Sequence, residues 1–254
     1  MLEELFRRPL LLFFVSLVLL SISTWLGVAV LTRLKQEVAE LQDDVRLIEG
    51  ATLTLLALII GFSFSMAVSR YDLRKNLEEA EANAIGTEWI RAELLPAQDT
   101  AKIKALLVKY TALRIERYSC HGDSERPDLY PETLKVQEQL WAAVRGPALA
   151  KPDPLTALAV SGMNDVINSQ GYSQAARYNT IPVAAWAMML VIAFGATLLA
   201  GVGAKSTKSL SRVLLILPLV LSVAFFLIAD LDSTRRGLIC VTPQNLNILS
   251  TQLR

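Results

Sequence analysis

The sequence predicts an all-α integral membrane protein with about four transmembrane helices. Of the 254 residues, 53% are hydrophobic and 19% are charged, whereas soluble domains carry about 25% charged residues. Four apolar stretches approach the roughly 20 residues that a helix needs to cross a bilayer with its backbone hydrogen bonds satisfied. The period-two alternation that is typical of strands appears nowhere in the sequence.

The apolar stretches divide the chain into seven segments. They are an N-terminal segment with the first transmembrane helix (TM1) at 1–33, an amphipathic hairpin helix at 34–50, TM2 at 51–69, a helical water-facing domain at 70–180, TM3 at 181–203, TM4 at 209–230, and a C-terminal tail at 231–254. Gly50 is expected to end the hairpin helix as a C-cap. That helix either packs on its own subunit or pairs with another subunit as a short coiled coil.

Prolines set the expected helix boundaries of the water-facing domain. The helix that begins as TM2 should continue to Leu95 and stop at Pro96. Further helices are expected at about 101–118, from the turn-rich stretch 121–131 to about Gly146, and at about 155–167. Pro147, Pro152 and Pro154 are expected to form a stiff connector between the last two helices.

The distribution of lysine and arginine near the ends of the spans predicts the orientation. More positive charges flank the side that carries the termini and the large domain, which favours a cytoplasmic location for all three. Cys120 and Cys240 then lie on one side of the membrane and are expected to be reduced thiols, although a disulfide would form if that side were oxidising.

Composition excludes several classes of function. The net charge of +1 gives no electrostatic basis for nucleic-acid binding. Two cysteines and one histidine, His121, do not supply a zinc site of the usual spacing, so no metal and no cofactor is predicted. The sequence carries no known catalytic motif, and we predict a protein that is not an enzyme. The carboxylates Glu78, Glu79 and Glu81 are interpreted as the solvated face of a helix.

A polar stripe on TM2 is the main candidate for a functional surface. At 100° per residue one face carries Thr54, Gly61, Ser65, Ser69, Asp72, Asn76, Glu79 and Asn83. The stripe either lines a hydrated path for ions or packs against other helices through small and hydrogen-bonding residues. Phe62, Phe64 and Met66, on the other faces, are bulky enough for an apolar constriction, and contact with lipid is the alternative.

A charged cluster ends TM4. Asp230, Asp232, Arg235 and Arg236 lie within seven residues of one another. The cluster is interpreted either as an interfacial anchor of salt bridges, with Arg70 or Arg74 as partners, or as a mouth that attracts ions.

Two passages carry a family resemblance. The sequence resembles the bacterial and plant bestrophin-like proteins, formerly grouped as a domain of unknown function, from Gly61 through Ser69-Arg70-Tyr71-Asp72-Leu73-Arg74 to Glu81-Ala82-Asn83-Ala84-Ile85-Gly86 and Leu94-Leu95-Pro96. The segment Leu227-Ile228-Ala229-Asp230-Leu231-Asp232 with Arg235-Arg236-Gly237 is similar to the second hallmark of that family.

The resemblance implies a bacterial inner-membrane protein and a homo-oligomer, by analogy a pentamer, that passes a small chloride-type anion. Bestrophins proper are anion channels whose second span lines the pore. This implies pore-lining roles for Thr54, Ile59, Gly61, Phe62, Ser65, Met66, Ser69 and Asp72, and a structural or ion-attracting role for Arg74, Glu81, Asn83, Asp230, Asp232, Arg235 and Arg236. The alternative is a non-conducting membrane scaffold or regulatory protein whose helical domain binds a partner.

Overall fold

The computed structural model describes residues 6, 8–33, 42–118, 129–203, 215–234 and 237–253. All regular elements in these ranges are helical, which confirms the predicted all-α class. The α-helices are α1 (Pro9–Arg33), α2 (Gln42–Arg91), α3 (Ala97–Tyr118), α4 (Tyr130–Ala150), α5 (Pro154–Tyr178), α6 (Val183–Val202), α7 (Ile216–Asp232) and α8 (Gln244–Gln252), and a 3-10 turn at Ala92–Leu94 follows α2.

The chain forms two compact units. The membrane unit comprises Met1–Ser69 and Thr180–Ile239, and the domain unit comprises Arg70–Asn179 and Cys240–Arg254. Within the described residues, three helical stretches are long and apolar enough to cross a membrane, at Pro9–Val30, within Asp43–Leu94 and within Pro154–Val202. They overlap the stretches that the sequence predicts as TM1, TM2 and TM3. The predicted TM4 begins outside the described residues, and α7, a helix of 17 residues, begins within it at Ile216 and ends at Asp232.

Two glycines allow α1 to pack closely on α6 in the membrane unit. A Cβ atom on Gly27 would lie 2.1 Å from the carbonyl oxygen of Leu198, and one on Gly201 would lie 2.3 Å from that of Thr24. The hydroxyl of Ser23 donates a hydrogen bond of 2.7 Å to the carbonyl oxygen of Phe194. Small residues at such crossings let helices pack tightly where lipid gives no hydrophobic driving force.

An apolar core holds the helices of the domain unit together. The second half of α2 contributes Ile85, α3 contributes Leu107 and Tyr110, α4 contributes Leu140, and α5 contributes Met163, all of which are fully buried. The side chains of Leu246 and Leu249 from α8 complete this core. A nine-residue helix is too short to be stable alone, so this packing is what stabilises α8.

Several predicted boundaries are wrong. α2 passes through Gly50 without interruption, so Gly50 does not cap a separate hairpin helix, and residues 34–41 of that predicted helix lie outside the described residues. α4 continues through Pro147 to Ala150, and the amide of Lys151 donates to the carbonyl oxygen of Pro147 over 2.9 Å. α8 was not predicted.

The helix that was expected at 155–167 extends to Tyr178. Its start is fixed by Asp153, whose carboxylate accepts hydrogen bonds from the amides of Leu155 and Thr156 in a capping box. Its length exceeds the prediction because apolar positions beyond 167, such as Ala176, are still buried.

Cys240 is disulfide-bonded in the structure, which corrects the expectation of a reduced thiol. The other cysteine of the sequence, Cys120, and the neighbouring His121 lie outside the described residues.

Candidate functional site

The polar stripe of α2 lies opposite the face that the rest of the chain covers. In the membrane unit, Thr54, Gly61, Ser65 and Ser69 are all exposed. The buried residues of this part of α2 are Leu56, Ser63 and Ala67. At 100° per residue the buried residues are centred about 180° from the stripe. The stripe therefore lies away from the face of α2 that the described part of the chain covers.

The same helix face stays exposed in the domain unit. Asp72, Asn76, Glu79 and Asn83 are exposed there, whereas the opposite face buries Arg74, Glu78, Glu81, Ile85 and Glu88. Among the eight residues of the stripe, Asp72 and Glu79 are the charged ones, and both are acidic.

The exposed stripe is composed of small and polar residues that suit a polar environment or a second protein surface. The hydroxyl of Thr54 is satisfied by a bond of 2.8 Å to the carbonyl oxygen of Gly50. Gly61 has no neighbour within 4 Å of an added Cβ, so its small size serves no contact inside this chain. Serine hydroxyls and a bare glycine backbone are poorly suited to lipid, but they suit water or a neighbouring subunit.

The four bulky apolar side chains that were candidates for a pore lining or constriction lie on different sides of the stripe. Phe62 is 67% exposed and adjoins the stripe on one side, with Met66 further around the helix. Phe64 lies on the other side of the stripe, and Ile59 is half-buried towards the covered face. Of these four side chains, Phe62 lies nearest to the stripe.

The two aspartates at the end of α7 organise the backbone around them. The carboxylate of Asp230 accepts hydrogen bonds from the amides of Leu238 (2.7 Å) and Ile239 (2.8 Å), and that of Asp232 accepts one from the amide of Ile181 (2.9 Å). Both side chains are buried. This geometry favours the structural interpretation over the ion-attracting mouth. Arg235 and Arg236 lie outside the described residues.

Glu81 belongs to a buried polar network in the domain unit. Its carboxylate accepts hydrogen bonds from Nε and Nη2 of Arg114 and from the hydroxyls of Tyr118 and Ser173. Burial lowers the pKa of Arg114, but the charge of Glu81 and its hydrogen bonds outweigh that effect and raise it. Burial and the field of Glu81 together raise the pKa of the Tyr118 phenol to about 12.

Glu78 and Glu79, the other two carboxylates that the sequence predicts as solvated, differ in burial. Glu78 accepts a hydrogen bond of 2.9 Å from the amide of Leu246 and one of 2.7 Å from the side-chain amide of Asn245, at the N-terminus of α8. Glu79 is exposed on the stripe. The interpretation of Glu78 and Glu81 as solvated is therefore wrong, and that of Glu79 fits the structure.

Two further predicted residues, Arg74 and Asn83, lie on different faces of α2. Arg74 is buried on the covered face of α2, while Asn83 is exposed on the stripe.

Sequence reasoning missed Arg114, Tyr118, Ser173 and Glu88. The helical period of α2 places Glu78, Glu81 and Glu88 on the same side as the apolar Ile85, which was the available indication of burial. In the part of the chain that the structure describes, no group of three or more acidic, histidine or cysteine side chains is placed to hold a metal ion.

The arrangement of long apolar helices with a helical domain defines an integral membrane protein of all-α architecture. A family model described as the Bestrophin-like domain matches residues 13–246. The chain therefore belongs to the bestrophin-like family, as the sequence motifs indicated.

Solved structures of a bacterial bestrophin homologue from Klebsiella pneumoniae share this fold. A point variant of that homologue superposes with a TM-score of 0.69 at 15% sequence identity, and the match covers 95% of this chain and 97% of that one. A structure of the same homologue solved by Zn-SAD phasing gives a TM-score of 0.67 at 15% identity, with 94% and 96% covered. No curated protein sequence matches this chain.

Proposed function

We propose that this chain is one subunit of a homo-oligomeric ion channel in the bacterial inner membrane, with four spans per subunit and α2 arranged around a central axis. The observation that supports it best is the exposed polar stripe at Thr54, Gly61, Ser65 and Ser69 of α2, on the face that the chain itself leaves uncovered. A ring of such helices would place every stripe in water and every covered face against its own subunit. Subunit number is taken from the family resemblance, which implies a pentamer.

A chloride-type anion is the permeant ion that the resemblance implies. The stripe itself favours a second candidate, a cation, because its charged residues Asp72 and Glu79 would form acidic rings around an axis, and acidic rings select cations. The reversal potential across a potassium chloride gradient separates these candidates, since it takes opposite signs for anion and cation selectivity.

Two single-cysteine variants on α2 test whether the stripe lines a pore. In a chain whose two native cysteines are replaced by serine, Ser65→Cys lies on the stripe and Ser63→Cys lies on the covered face, where Ser63 is 5% exposed. A charged methanethiosulfonate reagent should alter the current of the Ser65→Cys protein in planar bilayers. It should leave the current of the Ser63→Cys protein unchanged.

Two results would contradict the proposal. One is a protein that is monomeric in detergent by native mass measurement. The other is an oligomer that conducts no ions. The non-conducting scaffold would then become the better explanation, and Ser65→Leu and Ser69→Leu variants should keep whatever partner the domain unit binds.

We also propose that the domain unit and both termini face the cytoplasm, on the basis of the distribution of positive charge.

A further inference from the structure

Glu88 is a buried carboxyl group that the channel proposal does not use. Its side chain is 0% exposed, and neither carboxylate oxygen has a hydrogen-bond partner in the structure. The other buried glutamates of α2 differ from it, because Glu78 accepts two hydrogen bonds and Glu81 accepts several. Buried polar groups are normally paired, so an orphan carboxyl requires an explanation.

A glycine on the neighbouring helix makes room for this side chain. A Cβ atom on Gly162 of α5 would lie 2.1 Å from Oε2 of Glu88 and 2.8 Å from Nη1 of Arg91. On either side of Gly162, Ala159, Met163 and Val166 are fully buried in the apolar core. The carboxyl group is thus pressed against bare helix backbone in apolar surroundings.

This environment favours the neutral acid. Burial raises the pKa of Glu88 from its ordinary value near 4.5 to about 8; Arg91 opposes the rise and Asp165 adds to it. Of these two charged groups, which lie in the described part of the chain, Arg91 is on the same helix as Glu88 and Asp165 is on α5. Arg91 does not neutralise the carboxylate fully, because its Nη1 atom also lies 3.9 Å from Oδ2 of Asp165.

We propose that Glu88 is a proton-binding residue whose neutral form locks α2 against α5 at Gly162 and whose ionisation releases that contact. The neutral acid needs little solvation and fits the glycine cradle. The carboxylate has no hydrogen-bond donor in the cradle. When the ionised side chain moves out of the cradle, water can solvate it and it can come closer to the partly exposed Arg91. Proton binding and helix packing are then linked, and the lock operates whether or not the protein conducts ions.

The sign and size of the linkage follow from the two pKa values. The locked form holds its proton up to about pH 8, whereas a released carboxyl titrates near 4.5. Between those values the ratio of released to locked molecules should rise up to about tenfold for each unit of pH, and above pH 8 it should level off. The lock therefore loosens as the pH rises.

Hydrogen exchange on the full chain in detergent tests this linkage. Amides of residues 159–166 should lose protection between pH 6 and pH 8, by up to about tenfold per unit after correction for intrinsic exchange. Glu88→Gln, which keeps the shape of the neutral acid, should keep these amides protected at every pH. Glu138→Gln, at an exposed position of α4, is the matched control and should behave like the unaltered protein.

Infrared spectroscopy supplies a readout that does not depend on the glutamine variant. The carbonyl stretch of a protonated carboxyl should be present in the unaltered protein at low pH and vanish with a midpoint between the released value near 4.5 and the locked value of about 8. Gly162→Ala should abolish that titration, because its Cβ expels the side chain. A pH dependence of exchange that persists in Glu88→Gln, or a protein in which no carboxyl titrates well above its ordinary value near 4.5, would overturn the proposal.

Discussion

Replacing Arg114 by methionine removes one half of the buried ion pair with Glu81. Arg114 is 3% exposed and Glu81 is 0% exposed, so neither charge is solvated once its partner is gone. The arginine supplies two of the hydrogen bonds to the carboxylate, and the hydroxyls of Tyr118 and Ser173 supply the others, at 3.2 Å each. In Arg114→Met two hydroxyl groups must stabilise a buried carboxylate alone.

The expected loss of stability is about 3 to 5 kcal/mol, the usual cost of leaving one member of a buried pair uncompensated. The double variant Glu81→Gln with Arg114→Met should recover most of that loss, because it removes both charges together. The pair Lys109 and Glu132 offers a control from the same helix, α3. Those side chains are 54% and 49% exposed with their charged atoms 3.3 Å apart, so Lys109→Met should cost no more than about 1 kcal/mol.

Urea unfolding of the full chain in detergent, followed by far-ultraviolet circular dichroism, gives the free energies of the four proteins. The reasoning would be refuted by an Arg114→Met protein within about 1 kcal/mol of the unaltered one. It would also fail if the double variant were as unstable as the single one, because the cost would then come from lost packing and not from the unpaired charge.

Three further predictions concern other contacts. Gly27→Ala should lower the stability of the membrane unit by about 1 to 3 kcal/mol, because the added methyl meets the Leu198 backbone, whereas Gly195→Ala has open space around it and should be neutral or stabilising in a thermal-unfolding series. Glu78→Ala should release α8 at a cost of about 1.5 to 3 kcal/mol, seen as faster hydrogen exchange over residues 244–252, while Glu79→Ala on the exposed face should leave that exchange unchanged. If the domain unit is cytoplasmic, Cys240 should react with maleimide in acid-quenched, denatured cells without added reductant, and protection of this thiol would place the domain unit on the oxidising side.

The helices and the stripe of α2 were predictable because both depend on local patterns. Apolar length identifies a span, and a period of 3.6 residues groups Thr54, Gly61 and Ser65 on one face without knowledge of any partner. The direction in which that face points was not predictable. It depends on which side of α2 the other helices cover.

The buried carboxylates of α2 show why the rest was missed. Glu81 is paired with a residue 33 positions later, and Glu78 with a backbone amide 168 positions later. In the run Glu78-Glu79-Ala80-Glu81 the helical period separates the covered acids from the exposed one. It does not reveal what pairs with the covered acids, because their partners lie far away in the sequence. α8 was missed for the same reason, since a short polar stretch becomes a helix here through contacts with α2.

The close crossing of α1 and α6 joins segments that are made at different times. Ser23 and its partner Phe194 are 171 residues apart, which corresponds to roughly 10 to 30 seconds of protein synthesis. During that interval α1 must persist in the bilayer without α6, so the glycine contact can close only after α2 to α5 have been synthesised.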